Sequence, residues 1–89
     1  MKSHTTERFR KLFAALPESV REQAREAYRF FRDNPQHPGL QFKRVHTSRP
    51  VYSARVNIDY RVLGVREGDE IVWFWIGSHD DYEKLLARL

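Results

Sequence analysis

The chain has 89 residues, of which 40% are hydrophobic and 31% charged, and its formal net charge is +4. This length leaves room for one hydrophobic core, so we interpret residues 1–89 as a single globular domain. Cysteine is absent, the first residues lack the apolar stretch of a signal peptide, and the longest apolar run, residues 71–76, is too short to span a membrane. These features exclude a disulfide framework and thiol catalysis, and we expect a cytoplasmic protein without a membrane anchor.

The first part of the chain has helical periodicity. In residues 7–16 the apolar side chains recur every three or four positions, and Thr5 or Thr6 is suited to cap the helix start. Pro17 marks the start of a second helix, because proline is tolerated in the first turn of a helix and disrupts its interior. This helix runs to about residue 33. We predict a helical hairpin, closed by the turn-forming residues 34–39.

From residue 40 onward the apolar pattern alternates, which predicts strands near residues 41–46, 51–56, 60–66 and 70–77. The short connections between them favour an antiparallel meander. The last strand is apolar on both faces, so we expect both to be covered. Ser78 and either Asp80 or Asp81 are suited to cap a closing helix. The element order predicts an α+β fold.

Positive charge is concentrated in the middle of the chain. Between positions 43 and 66 six basic residues stand against one acid, Asp59, and the balance reverses after that segment. We interpret this distribution as one face that attracts an anion. The six basic residues are Lys43, Arg44, Arg49, Arg55, Arg61 and Arg66.

Two of these arginines flank a predicted hairpin turn. If its loop consists of residues 57–59, Arg55 and Arg61 lie directly opposite each other on one face. Facing like charges destabilise the fold unless an anion lies between them, which favours a phosphate-binding site. A two-residue loop would instead place Arg55 opposite Tyr60 and weaken this hypothesis. The alternative function of the arginines is an ordinary solvated or salt-bridged surface.

The strand before this hairpin offers three further candidates, Lys43, Arg44 and His46. Adjacent strand residues point to opposite faces, so only one of Lys43 and Arg44 can join the arginine pair. Arg44 and His46 share a parity and should lie on the same side. The alternative is that these are edge-strand charges that oppose aggregation.

His79 lies where the last strand meets the closing helix. A histidine changes charge near neutral pH, and a helix start brings backbone N–H groups close, so His79 is our candidate for proton transfer. The alternative is a histidine that caps the helix. The four histidines lack the spacing of metal ligands, and we predict neither a metal site nor a cofactor.

Two tryptophans belong to the same last strand. Strict alternation places Trp73 and Trp75 on one side of it. We interpret them as core residues rather than as a platform on which bases stack.

A series of short segments, taken in order, resembles the RelE/ParE toxin superfamily of type II toxin–antitoxin systems. The resemblance extends over nearly the whole chain. Its most characteristic parts are Tyr-Arg-Val-Leu at residues 60–63 and Gly-Ser-His-Asp at residues 77–80. The other matching segments are Phe-Arg-Lys-Leu-Phe at 9–13, Leu-Pro at 16–17, Asn-Pro at 34–35, His-Pro at 37–38, residues 40–43, Tyr-Ser-x-Arg-Val at 52–56 and Trp-Ile at 75–76 with Tyr82.

The resemblance implies a fold in which the N-terminal helical hairpin packs on a twisted antiparallel sheet of about four strands, with a short C-terminal helix. Because the first helix begins almost at once, we expect the N-terminal edge strand that is usual in this superfamily to be absent or shortened. We expect the same of the basic C-terminal segment.

The RelE-like branch that the chain resembles cleaves mRNA in the ribosomal A site and so inhibits translation. Carried over to this sequence, Arg55 and Arg61 become ligands of the phosphate or transition state, His79 the acid or base, and Tyr82 its support. Lys43 or Arg44, with His46, would contact the RNA backbone. The implied partners are a cognate antitoxin protein, in a toxin–antitoxin hetero-oligomer, and mRNA on the ribosome, with no membrane involved. The alternatives are a ParE-like inhibitor of DNA gyrase and a non-catalytic homologue that only binds antitoxin.

Overall fold

Five strands form one mixed sheet in the computed structural model, which describes residues 1–89. The strand order is β1-β5-β4-β3-β2, in which β1 runs parallel to β5 and all other neighbours are antiparallel. In chain order the elements are β1 (Lys2–Thr5), α1 (Glu7–Ala14), α2 (Glu18–Asp33), a short 3₁₀ helix (Pro38–Leu40), β2 (Lys43–Arg44), β3 (Val51–Arg55), β4 (Tyr60–Glu67), β5 (Glu70–Ser78) and α3 (His79–Arg88).

Residues that favour a helix start precede both helices of the hairpin. Thr6 is the N-cap of α1, and its hydroxyl accepts a hydrogen bond from the Phe9 N–H at 3.1 Å. Pro17 precedes α2 directly, because its fixed φ suits a helix start. The two predicted helices and the closing helix are therefore confirmed. No helix is both long and apolar enough to cross a membrane.

Both faces of the sheet are covered by packed side chains. On one face, Phe31 of α2 is buried together with Ala54 and Trp73. On the other face, Tyr82 of α3 is buried with Leu63 and Trp75. Because β5 contributes a tryptophan to each cluster, the prediction that both of its faces are covered is confirmed. The α+β class with an N-terminal hairpin and a short C-terminal helix is likewise confirmed.

The edges of the sheet differ from the sequence prediction. The expectation that the N-terminal edge strand is absent or shortened was wrong, because residues 2–5 form β1 and give the sheet a fifth strand, parallel to β5. Its polar side chains carry no apolar signal, and its place is fixed by backbone hydrogen bonds such as Thr6 N–H to the Trp73 carbonyl at 3.1 Å. The strand predicted at residues 41–46 is reduced to β2, since Gln41 adopts a left-handed conformation that precludes extended pairing there.

The prediction that Trp73 and Trp75 share a side was also wrong. Between Leu63 and Gly64 the register shifts, so Leu63 pairs with Trp75 and Gly64 pairs with Trp73, leaving Phe74 as an extra residue in β5. Such a bulge rotates the strand and sends the two indoles to opposite faces. Each indole lies close to a glycine: a Cβ built on Gly77 would be 2.5 Å from the Trp75 ring.

Candidate active site

A polar cavity of about 280 Å³ lies between the sheet and α3. We call it the α3 cavity. It brings together five of the seven residues that the sequence singled out, from β2, β3, β4 and α3. Its lining consists of Gln41, Lys43, Ser53, Arg55, Arg61, His79, Tyr82, Glu83 and Leu86.

The arginine pair faces across the hairpin as the three-residue loop requires. Arg55 of β3 is the direct cross-strand partner of Arg61 in β4, which confirms the predicted register. The loop between them is held by Asn57, whose side-chain oxygen accepts hydrogen bonds from the N–H groups of Asp59 and Tyr60 at 2.8 and 2.9 Å. This Asx-type turn therefore fixes the facing of the two arginines.

Arg61 is oriented by backbone groups rather than by a carboxylate. Its Nη1 donates to the carbonyl oxygens of Asn57 at 2.6 Å, Tyr60 at 3.0 Å and Ile58 at 3.3 Å. Neither Arg61 nor Arg55 takes part in any of the five ion pairs of the molecule. Burial, and next the charge of Arg55, lower the pKa of Arg61. The pair is thus a site of positive charge without a carboxylate at ion-pair distance, although Asp59 and Glu83 offset part of the charge of Arg61, and it is suited to an anion.

His79 is the first residue of α3 and is held there by its backbone. Its N–H donates to the Asp59 carbonyl at 2.7 Å, which ties the hairpin loop to the helix start. Ser78 caps the helix, because its hydroxyl accepts from the Asp81 N–H at 3.2 Å. The His79 side chain is therefore not used as a cap. Its Nε2 lies 3.3 Å from a carboxylate oxygen of Glu83, and 44% of the side chain is exposed.

Tyr82 forms the buried side of the α3 cavity. Only 6% of the residue is exposed, and its hydroxyl donates to the Ser53 hydroxyl at 3.3 Å. The His79 and Tyr82 rings are 5.8 Å apart. Tyr82 thus supports the buried wall of the α3 cavity, through packing and through its hydrogen bond to Ser53.

Lys43 lines the α3 cavity, whereas Arg44 and His46 lie outside it. Arg44 donates from Nε to the His46 carbonyl at 2.9 Å. The His46 ring links a loop to the end of α3: Nδ1 accepts from the N–H groups of Ser48 and Arg49, and Nε2 lies 3.0 Å from the Leu89 carbonyl oxygen. Of the two alternatives, Lys43 therefore lies in the cavity with Arg55 and Arg61, and Arg44 does not.

Besides the apolar Leu86, three polar lining residues were not predicted from the sequence. Glu83 follows His79 by four positions on a helix, a spacing that could have identified it. Ser53 has the same strand parity as Arg55, which could have placed it on the same face. Gln41 gave no signal, because a lone glutamine in a turn is ordinary. No group of His, Asp and Glu side chains is arranged to hold a metal ion.

Chemically, the α3 cavity offers two facing guanidiniums, an ammonium and an imidazole next to a carboxylate. Guanidiniums bind phosphate through paired, charge-assisted hydrogen bonds. An imidazole can accept or donate a proton near neutral pH. The arrangement is therefore suited to bind a phosphodiester and to move a proton beside it.

A family model described as the ParE-like toxin domain matches residues 18–84 of the sequence. A sequence search of curated proteins found no significant match. The family match includes α2, the 3₁₀ helix, strands β2 to β5 and the first half of α3. It therefore includes every lining residue of the α3 cavity except Leu86.

Solved structures of low sequence identity share the fold. A chain of the RelB–RelE antitoxin–toxin complex from Methanococcus jannaschii is 14% identical, with a TM-score of 0.74 over 92% of this chain and 96% of that one. YafQ from E. coli is 10% identical, with a TM-score of 0.72 over 91% and 96%. The YoeB/ParE toxin from Agrobacterium tumefaciens is 13% identical, with a TM-score of 0.69 over 89% and 99%.

Proposed function

We propose that this chain, which belongs to the ParE-like toxin domain family and thus to the RelE/ParE superfamily of toxin–antitoxin systems, is a ribosome-dependent mRNA endonuclease. The observation that supports this proposal is the grouping of Arg55, Arg61 and His79 around one cavity. Inhibition of translation and growth arrest would follow from the loss of intact mRNA.

The proposed reaction is an attack by a ribose 2′-OH on the neighbouring phosphorus. The 2′-OH gives up its proton, the P–O5′ bond breaks, and the 5′ oxygen leaves with a proton, so the reaction needs a base, an acid and positive charge at the phosphorane. We assign the charge to Arg55 and Arg61, neither of which forms an ion pair within the chain. His79 serves as the acid or the base, and Glu83 orients its ring through the 3.3 Å contact.

Lys43 and Tyr82 have supporting roles in this scheme. Lys43 lines the cavity, and its ammonium group contacts the RNA backbone next to the reacting phosphate in this scheme. Tyr82 supports the His79 side of the cavity by packing. Arg44 and His46 remain outside this set, because their side chains bond to backbone carbonyls of their own loop and of α3.

We also propose that a cognate antitoxin binds this chain in a hetero-oligomer. One of the similar structures is itself an antitoxin–toxin complex. An antitoxin segment that covers the α3 cavity needs acidic side chains to neutralise its arginines and an apolar part that folds on binding.

Mapping of mRNA ends by primer extension after induction of the chain tests the proposed activity. We expect new 5′ ends between codon positions in translated regions. We expect His79→Ala and Arg61→Ala to remove these ends. Arg8→Ala is the matched control, because Arg8 is an exposed residue of α1 that lies outside the α3 cavity, and its cuts should equal those of the unchanged chain. Intact mRNA in growth-arrested cells would contradict the proposal.

The competing function, inhibition of DNA gyrase, is favoured by one observation, the ParE-like description of the matching family. It requires neither an acid nor a base. It predicts gyrase-linked DNA breaks and a DNA-damage response with mRNA intact, and His79→Ala would then leave toxicity unchanged. A chain that leaves growth unaffected without its partner would instead be a non-catalytic, antitoxin-binding homologue.

A further inference from the structure

The loop that joins β3 to β4, residues 57–59, holds a candidate site residue on each side. The Asn57 carbonyl accepts a hydrogen bond from the Arg61 guanidinium at 2.6 Å, and the Asp59 carbonyl accepts one from the His79 N–H at 2.7 Å. Arg61 lies in β4, and His79 begins α3. The placement of the guanidinium relative to the start of α3 therefore depends on the shape of this loop.

Asn57 determines the shape of the loop with its side chain. Its Oδ1 accepts hydrogen bonds from the N–H groups of Asp59 and Tyr60 at 2.8 and 2.9 Å, and its Nδ2 donates to Oε1 of Gln23 in α2. The side-chain oxygen thus closes the turn, and the side-chain nitrogen ties it to the helical hairpin. Both ends of this amide are used within the chain, and Asn57 does not line the α3 cavity. Its action on a bound phosphodiester therefore runs through the residues that it holds.

We propose that Asn57 is a positioning residue, which sets Arg61 against the His79 end of α3 so that one phosphodiester meets both groups; its effect on cleavage rests on the proposed endoribonuclease function. A long side chain has many rotamers, and fixing the guanidinium before RNA binds removes that entropy cost from the reaction. The acceptors that hold Arg61 are neutral carbonyls. They orient the guanidinium without competing for it as a carboxylate would, so its charge is left for the phosphate.

Steady-state cleavage of a defined message on stalled ribosomes tests this role. A residue that only positions reacting groups should lower kcat and leave KM nearly unchanged, because the interaction that it secures is made in the transition state. We expect Asn57→Ala to lower kcat about ten- to a hundredfold, the effect of a small misplacement of reacting groups. In Asn57→Ser the hydroxyl forms the same kind of turn more weakly, so its kcat should lie between those of Asn57→Ala and the unchanged chain.

Asn34→Ala is the matched control, because Oδ1 of Asn34 accepts a hydrogen bond from the Gln36 N–H at 3.0 Å in a turn outside the α3 cavity. Its kcat should equal that of the unchanged chain at a temperature where circular dichroism shows every variant folded. If Asn57→Ala cuts as fast as Asn34→Ala, the inference is wrong and the endoribonuclease proposal stands. A KM that rises as much as kcat falls would assign Asn57 to RNA binding and would also overturn the inference.

A second measurement needs no cleavage and separates the inference from the proposed function. Inorganic phosphate should raise the Tm of the chain when it binds Arg55 and Arg61. This rise should fall by at least about half in Asn57→Ala and stay unchanged in Asn34→Ala. If the chain cuts no mRNA but the two variants differ in this way, Asn57 positions Arg61 and the cleavage proposal fails. If phosphate raises the Tm of both variants equally, the inference is overturned whether or not the chain cuts mRNA.

Discussion

The facing arginines of the α3 cavity lower the stability of the fold at neutral pH. The pKa of Arg61 is lowered by burial and by Arg55, so the folded chain holds this proton less tightly than the unfolded chain. Such a group destabilises the fold fully at any pH below its folded pKa, and the cost disappears only as the pH rises through that value. For arginine this window is far above neutrality. The penalty is therefore constant across the neutral range, and a bound anion should offset it.

Inorganic phosphate should consequently stabilise the chain. We expect it to raise the Tm by about 2–6 °C relative to chloride at equal ionic strength. Arg55→Gln, which removes a side chain without internal hydrogen bonds, should leave the chain at least as stable and should abolish the phosphate effect. Thermal unfolding followed by circular dichroism measures both quantities, with Arg8→Gln as the control. If phosphate raised the Tm of Arg55→Gln by the same amount, the anion would have to bind elsewhere.

A variant of Tyr82 distinguishes a structural role of its hydroxyl from a role in proton transfer. Because its buried hydroxyl donates to Ser53, Tyr82→Phe should lower the free energy of unfolding by about 0.5–1.5 kcal/mol. Cleavage should fall much less than in His79→Ala. Urea unfolding and cut-site mapping of the two variants measure these effects. Loss of cleavage in Tyr82→Phe as complete as in His79→Ala would assign the hydroxyl to proton transfer.

At the residue scale, the sequence made the facing of Arg55 and Arg61 depend on the length of one loop, and the structure has the three-residue alternative. It left Lys43 and Arg44 as alternatives, since strand parity separates two faces without saying which face is covered by α3. Gln41 could not be foreseen, because its left-handed backbone depends on how the 3₁₀ helix ends against the sheet.

Among the elements, strands without an apolar signal were the ones missed. β1 consists of Lys, Ser, His and Thr, so it pairs with β5 without an apolar side chain that the sequence could reveal. The bulge in β5 was equally hidden, since a run that is apolar at every position has no alternation from which a register shift can be read. Helix starts were predictable because Thr6, Pro17 and Ser78 act within one turn.

The close approach of Trp75 to Gly77 makes this glycine a test of the bulged strand. A Cβ at Gly77 would lie 2.5 Å from the Trp75 ring, so Gly77→Ala should lower the free energy of unfolding by about 1–3 kcal/mol. Gly68→Asn is the control, because Gly68 has open space around it and asparagine tolerates positive φ. Urea unfolding measures both variants. Equal stability of Gly77→Ala and the unchanged chain would contradict this packing of the indole.

In the whole molecule, the sheet separates two regions of different character. The helical hairpin packs on one face around Phe31 and Trp73, while α3 packs on the other around Trp75 and leaves the polar α3 cavity beside it. The change of apolar period along the chain was enough to predict this α+β layout. The grouping of five candidate residues in one cavity required the tertiary structure, because they come from four separate elements.

Cleavage of mRNA on purified ribosomes tests the central claim most directly. The purified chain is mixed with ribosomes stalled on a defined message with an empty A site, and the RNA products are sequenced at both ends. We predict one cut in the A-site codon, a 2′,3′-cyclic phosphate on the upstream fragment, and a rate lowered at least about a hundredfold in His79→Ala. An uncut message on ribosomes that a known A-site nuclease does cleave would contradict the claim.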